Sequence, residues 1–214
     1  FFSHVIKNVY VIPSVRYPRS ISKLPSIMSM DEIKAMIDAV KNIKQRTIIM
    51  LLYSTGMRVS EIASLKITDI DSKIMRIKIV QGKGSKDRFT ILSETVLQEL
   101  RAYYIIYKPA EYLFNGSCCG KKMSVRNIQH TIQITLALIG LSGKNYSVHT
   151  IRHSFATHLV DNGTDLHTVK ELLEHSTLQT TMRYMHLSKK RMDNVINPYD
   201  MMMKENGNKT SFKK

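Results

Sequence analysis

Ser29 and Glu32 stand one helical turn apart, ahead of Ile33, Met36, Ile37 and Val40, which recur at helical intervals. That pattern predicts a helix opened by a capping box and buried along one stripe. The run from Lys44 to Ser54 is more uniformly apolar and predicts a buried helix, stopped by Gly56 at a C′ position. Arg58 then opens a short helix, with Glu61 one turn on and able to hold its guanidinium. The period changes to two where Ile74, Arg76 and Lys78 alternate with Met75, Ile77 and Ile79, as in a half-buried strand. Gly82 to Ser85 supplies a turn and Arg88 to Leu92 a returning strand, so a β-hairpin presents Lys83 and Lys86 near its tip. Helical spacing resumes from Ser93 to about Tyr107, ahead of Pro109, and from about Ser124 to Leu138, ahead of Gly140. It continues over Val148 to Asp161, closed by Asn162-Gly163, then Leu166 to Leu173, Thr177 to about Tyr184, and Ser188 to Val195 before Pro198. The predicted class is mainly α with a small antiparallel β-sheet.

Charge narrows the partners. In 214 residues, 32 Lys and Arg face 17 Asp and Glu, a formal charge of +15. Such an excess favours a polyanion, without separating DNA from RNA or an anionic membrane surface. The two cysteines, Cys118 and Cys119, are adjacent, which suits neither an unstrained disulfide nor a metal site. This reads as a reducing compartment, and the chain is expected in the cytoplasm. No apolar run approaches the roughly 18 residues a membrane span needs. The first 28 residues carry Lys7, Arg16, Arg19 and Lys23, no acidic residue, and Pro13, Pro18 and Pro25, and read as a basic extended linker. The opening Phe1-Phe2-Ser3-His4 is no signal peptide and suggests an excised fragment.

Candidate chemistry concentrates between His149 and Tyr184. On a helix, His149 and Arg152 project from one face, with roughly 5–6 Å between Cβ atoms. Two side-by-side donors in so basic a chain suggest a site for a phosphate. His149 and His153, four apart, also have the spacing of two metal ligands, but no glutamate follows His149 and no third ligand presents itself. A packing or capping role is expected for His153, and no metal is expected.

The stretch Ser147-Val148-His149-Thr150-Ile151-Arg152-His153-Ser154-Phe155-Ala156-Thr157-His158-Leu159 resembles the second box of the tyrosine recombinases, the phage-integrase family. The match continues through Asn162-Gly163-Thr164-Asp165-Leu166 and Thr180-Thr181-Met182-Arg183-Tyr184-Met185-His186. Upstream, Thr55-Gly56-Met57-Arg58-Val59-Ser60-Glu61-Ile62 is similar to the first arginine box of that family, and Gly82-Lys83-Gly84-Ser85-Lys86-Asp87-Arg88 to its lysine hairpin. Motifs in this order and spacing cover most of residues 26–198.

The resemblance implies a catalytic-domain fold and an expected division into a basic linker remnant (1–28), a catalytic domain (29–187) and a C-terminal helix with a mobile tail (188–214). It implies site-specific recombination of double-stranded DNA through a 3′-phosphotyrosyl intermediate and a Holliday junction. The expected assembly is a monomer without DNA and four protomers on paired sites, in a bacterial cytoplasm at the nucleoid, with no cofactor. Arg58 and Arg152 would clamp the phosphate, since guanidinium forks match its oxygens and stay charged. His149 would add a hydrogen bond or act on the tyrosine proton, and His175 would donate to a non-bridging oxygen in the transition state. Tyr184 would be the nucleophile, a phenol of ordinary pKa near 10 being easier to ionise than a sugar hydroxyl. Lys83 would protonate the departing 5′-oxygen, Lys86 and Arg88 would contact backbone phosphates, and Glu61 would support Arg58. Two departures stand out: no helical core-binding domain precedes the linker, and Glu174 replaces the glycine usual before the histidine. A type IB topoisomerase and a non-catalytic DNA-binding relative remain alternatives at this level.

Overall fold

The computed structural model describes residues 25–80, 87–116, 120–174, 177, 181, 182, 184 and 185. Lys83, Lys86, His175, both cysteines, nearly all of the basic linker and the C-terminal segment lie outside these residues. Helix α1 (Met30–Ala39) begins as predicted: Ser29 Oγ accepts from the Glu32 amide at 3.1 Å and Glu32 Oε2 from the Ser29 amide at 2.8 Å. Such a cap contributes about 1 kcal/mol. Helix α2 (Ile43–Thr55) buries Ile48, Ile49, Leu51 and Leu52, and so runs through the middle of the molecule. It ends at Gly56, in the left-handed conformation at φ +60°. A Cβ there would lie 2.7 Å from Phe155 Cε1 and 2.9 Å from Leu173 Cδ2. Both the backbone and the space therefore require glycine.

Helix α3 (Val59–Ser64) leads through a 3₁₀ turn (Ile67–Asp69) into strands β1 (Ile70–Asp71), β2 (Arg76–Ile79) and β3 (Arg88–Ile91). They form an antiparallel sheet in the order β1-β2-β3, with Ile77 opposite both Ile70 and Thr90. The alternation reads correctly in β2, where Ile77 and Ile79 are buried and Arg76 and Lys78 exposed. Ile74 and Met75, expected at the start of that strand, belong instead to the turn from β1. Asp71 Oδ1 accepts from the amides of Lys73 and Ile74, and Met75 takes φ +52°. Strand β1 was not predicted, being too short to display a period.

Helices α4 (Glu94–Tyr107), α5 (Val125–Leu138), α6 (Val148–Asp161) and α7 (Leu166–Leu173) complete the described residues. The fold is thus mainly helical with one small antiparallel sheet. One large apolar core unites α1 to α5 with Val148 and Ile151 of α6. A second, small cluster holds Phe155 and Ala156 of α6, Val169 and Leu173 of α7, and Tyr184. Helix α6 bridges the two. Among the described residues no helix is long and apolar enough to cross a membrane.

Candidate active site

Three chain segments converge where α2 ends, α6 begins and α7 ends. Gly56 turns the chain out of α2, so that Arg58 caps α3 and Glu61 lies one turn in. Arg58 Nη1 donates to Glu61 Oε1 at 2.7 Å, and the Arg58 amide to Glu61 Oε2 at 2.7 Å. The expected support of Arg58 by Glu61 is therefore present in the geometry. Arg152 lies one turn into α6, buried at 8% exposure. Its Nη1 donates to the Gly56 carbonyl at 2.7 Å and its Nη2 to the Leu173 carbonyl. This guanidinium thus ties together the ends of α2 and α7. Burial, then the neighbouring Arg58, lowers its pKa to about 10, which leaves it charged at neutral pH. Glu61, Arg88 and Tyr184 also act electrostatically on it.

Arg88, expected at a backbone phosphate, is turned inward from β3. Its Nη1 and Nη2 each donate to a Glu61 oxygen at 2.9 Å, a bidentate fork, with only 9% of the side chain exposed. Burial acts to raise the Glu61 pKa, but the bonds and charge of Arg88, then Arg58, outweigh it and hold the carboxyl low. Glu174 joins the same cluster. Its Oε2 accepts from Arg58 Nη1 at 2.7 Å and from Arg88 Nη1 at 3.0 Å. Burial acts to lower the Arg58 pKa, and Glu174 with Glu61 more than reverses that.

Tyr184 is only 2% exposed, and its hydroxyl pairs with His153 Nδ1 at 3.0 Å. The packing or capping role expected for His153 did not foresee this partner. Its place one turn beyond His149, beside Arg152, was the available signal. His149 is exposed on the first turn of α6. Arg58, Glu61, Arg152 and Tyr184 therefore meet in one region, with Arg88 and Glu174 added. Beside Glu61 opens a cleft of about 520 Å³ whose lining includes Lys66, Lys78 and Lys122.

The model of the phage integrase family matches residues 26–191. The y4qK protein of Sinorhizobium fredii is 34% identical over 203 residues, covering 94% of this chain and 66% of that protein. The tyrosine recombinase XerD of Staphylococcus epidermidis is 38% identical over 190 residues, covering 83% of this chain and 63% of its own. Among solved structures, XerH bound to a palindromic difH substrate in a post-cleavage complex superposes with a TM-score of 0.76 at 25% identity. That match covers 87% of this chain and 57% of XerH. The chain thus spans about two thirds of the length of the curated relatives it matches. With its arginine boxes, helical catalytic fold and matched family model, the chain belongs to the phage integrase family.

Proposed function

We propose that this chain cleaves and rejoins double-stranded DNA at specific sites, with Tyr184 as nucleophile and a 3′-phosphotyrosyl ester as intermediate. The observation that carries this reading is that Arg152, bonded to the Gly56 and Leu173 carbonyls, joins the start of the Arg58 helix to the cluster that holds Tyr184, from elements far apart in sequence. A phosphodiester resists attack because its charge repels nucleophiles and its alkoxide leaves poorly. Arg58 and Arg152 offset that charge, and their proximity eases ionisation of the phenol. His149, exposed at the mouth of α6, adds a hydrogen bond to the phosphate or takes the tyrosine proton. His175 donates to a non-bridging oxygen, and Lys83 protonates the departing 5′-oxygen. The ester preserves the energy of the broken bond, so the 5′-hydroxyl can attack it and rejoin the strand.

Glu61 holds Arg58, and Arg88, turned onto Glu61, serves that carboxylate rather than a backbone phosphate. Lys86 and the lysines of the neighbouring cleft contact the duplex backbone. Tyr184 must leave His153 and its apolar pocket before it reaches a phosphate. The similarity to XerH on a cleaved difH substrate supports DNA as the partner. Recombination then proceeds through four protomers on paired sites and a Holliday junction, at the nucleoid.

The test is covalent trapping on a nicked suicide duplex carrying a candidate site from the flanking genome. The expected result is a denaturant-resistant adduct, mapped by mass spectrometry to Tyr184 and absent in Tyr184→Phe. Duplex binding without an adduct would overturn the catalytic reading.

A further inference from the structure

Glu174 stands at a backbone position suited to glycine and yet directs its carboxylate into the arginine cluster. It follows the last residue of α7 at φ +52° and ψ +49°, in the left-handed region. A side chain is held there at a cost that glycine does not bear. The side chain is only 21% exposed, and one oxygen bridges two guanidinium groups, at 2.7 Å to Arg58 and 3.0 Å to Arg88. A carboxylate and a phosphodiester present the same feature to an arginine, an anionic pair of oxygens within reach of planar N–H donors.

The charge balance leads to the same conclusion. Arg58, Arg88 and Arg152 carry +3, and Glu61 and Glu174 carry −2, so the cluster is left with +1. With glycine at position 174 the same cluster would hold +2. Glu61 takes a bidentate bond from Arg88, a guanidinium bond from Arg58 and a bond from the Arg58 amide, close to its own helix. Glu174 reaches the same two guanidiniums through Oε2 and sits at a helix end, where rotation about its own side-chain bonds can withdraw it.

We infer that Glu174 is a resident occupant of the phosphate cradle: its carboxylate takes, on Arg58, the place of a phosphodiester oxygen, and strand cleavage starts only after it has left. The inference rests on the function proposed above. Glu174 lowers the fraction of molecules ready to receive the scissile phosphate, and the apparent rate and affinity fall by that fraction. It acts through Arg58 and does not touch the reacting atoms, so it is a gating residue. It makes cleavage conditional on a DNA arrangement able to expel a carboxylate, which disfavours loosely docked sequences.

The experiment measures single-turnover adduct formation by the full chain on the nicked suicide duplex, for the native protein, Glu174→Gln and Glu174→Gly. Glutamine keeps the shape and removes the charge, and glycine also relieves the backbone. A control, Glu171→Gln, removes a charge from the same helix at an exposed site, where Glu171 faces His167 at 3.4 Å. Both position-174 variants should form the Tyr184 adduct about tenfold faster at saturating protein, as expected if roughly one molecule in ten is competent. Glu171→Gln should alter duplex affinity alone. Unchanged or slower adduct formation in both variants, with the Tyr184 adduct still made, would show Glu174 to be a brace and overturn the inference alone. A tenfold gain shared by Glu171→Gln would also overturn it, by making the effect one of net charge. No adduct from any of the proteins, despite duplex binding, would remove the functional reading and the inference with it.

Discussion

Among the described residues, buried apolar side chains gather in two clusters of very different size. The large one joins five helices and the sheet around α2, with side chains such as Ile48, Phe114 and Ile132 fully enclosed. The small one holds Phe155, Ala156, Val169, Leu173 and Tyr184, and rests against the first through α6. Burial stabilises in proportion to the area removed from water, so among the described residues the small cluster is expected to contribute less than the large one. The candidate nucleophile and the Leu173–Glu174 end of α7 belong to the weaker half, whereas Arg58 and Arg152 are anchored to the stronger one. On the proposed function, a phosphate clamp gains from rigidity, and a tyrosine that moves to a phosphate gains from a lightly packed site. The charged cluster lies between the halves and couples them, through Arg152 on the Leu173 carbonyl and Glu174 on Arg58.

The sharpest way to break this comparison is truncation of the large core. Phe114→Ala leaves a void beside Tyr103, whose ring centroid lies 5.3 Å away. It should cost about 3–5 kcal/mol and lower the whole thermal transition. A loss under 1 kcal/mol would show that this core is not the stabilising half.

Next in size is Glu61→Gln, at about 3 kcal/mol, because Arg58 and Arg88 would lose the carboxylate that compensates their burial. The Glu61 carboxyl is held below its ordinary value of 4.5, so its contribution is full above that pH. It is lost as pH falls through the lower, folded-state pKa. Unfolding free energies measured by denaturant from pH 7 down to 3 should fall less steeply in the variant than in the native protein. Parallel curves would mean that other carboxylates set the acid limit.

Leu173→Ala tests the small cluster and should cost about 2 kcal/mol, the low end for such truncations, because the site opens easily and can collapse. The revealing readout is hydrogen exchange: amides of α7 should exchange sooner than those of α2, and only the former should accelerate further. Equal acceleration in both would mean that the two clusters unfold as one.

Much of this was legible in the sequence. Capping at Ser29, the glycine stop at Gly56 and the limits of α6 and α7 depend on local spacing and were read correctly. Strand β1 escaped because its two residues pair only through β2, a tertiary fact. The arginines were identifiable by type and motif, and so was Glu61 as the partner of Arg58, but the partners of Arg88 and Arg152 were not. Whether Arg88 faces a duplex or Glu61 depends on which way β3 is turned against α3. The sequence marked Glu174 as a departure, and only its left-handed backbone and its bond to Arg58 show where the carboxylate goes.

The smallest expected effect concerns the bond between His153 and Tyr184. Apolar contact with the small cluster and the hydrogen bond to His153 Nδ1 at 3.0 Å both hold the phenol. His153→Phe preserves a ring of similar breadth and removes the bond. A hydrogen bond of this kind contributes about 1 kcal/mol net, so the open population of Tyr184 should rise about fivefold. Tetranitromethane nitrates accessible tyrosines, and peptide mass spectrometry can follow Tyr184 among the ten in the chain. Nitration at Tyr184 should accelerate by that factor, while Tyr103, 1% exposed and bonded to the Leu113 carbonyl, serves as the internal reference. If the Tyr184 rate does not change, this hydrogen bond does not hold the ring, and the small cluster retains its candidate nucleophile by packing rather than by the His153 latch.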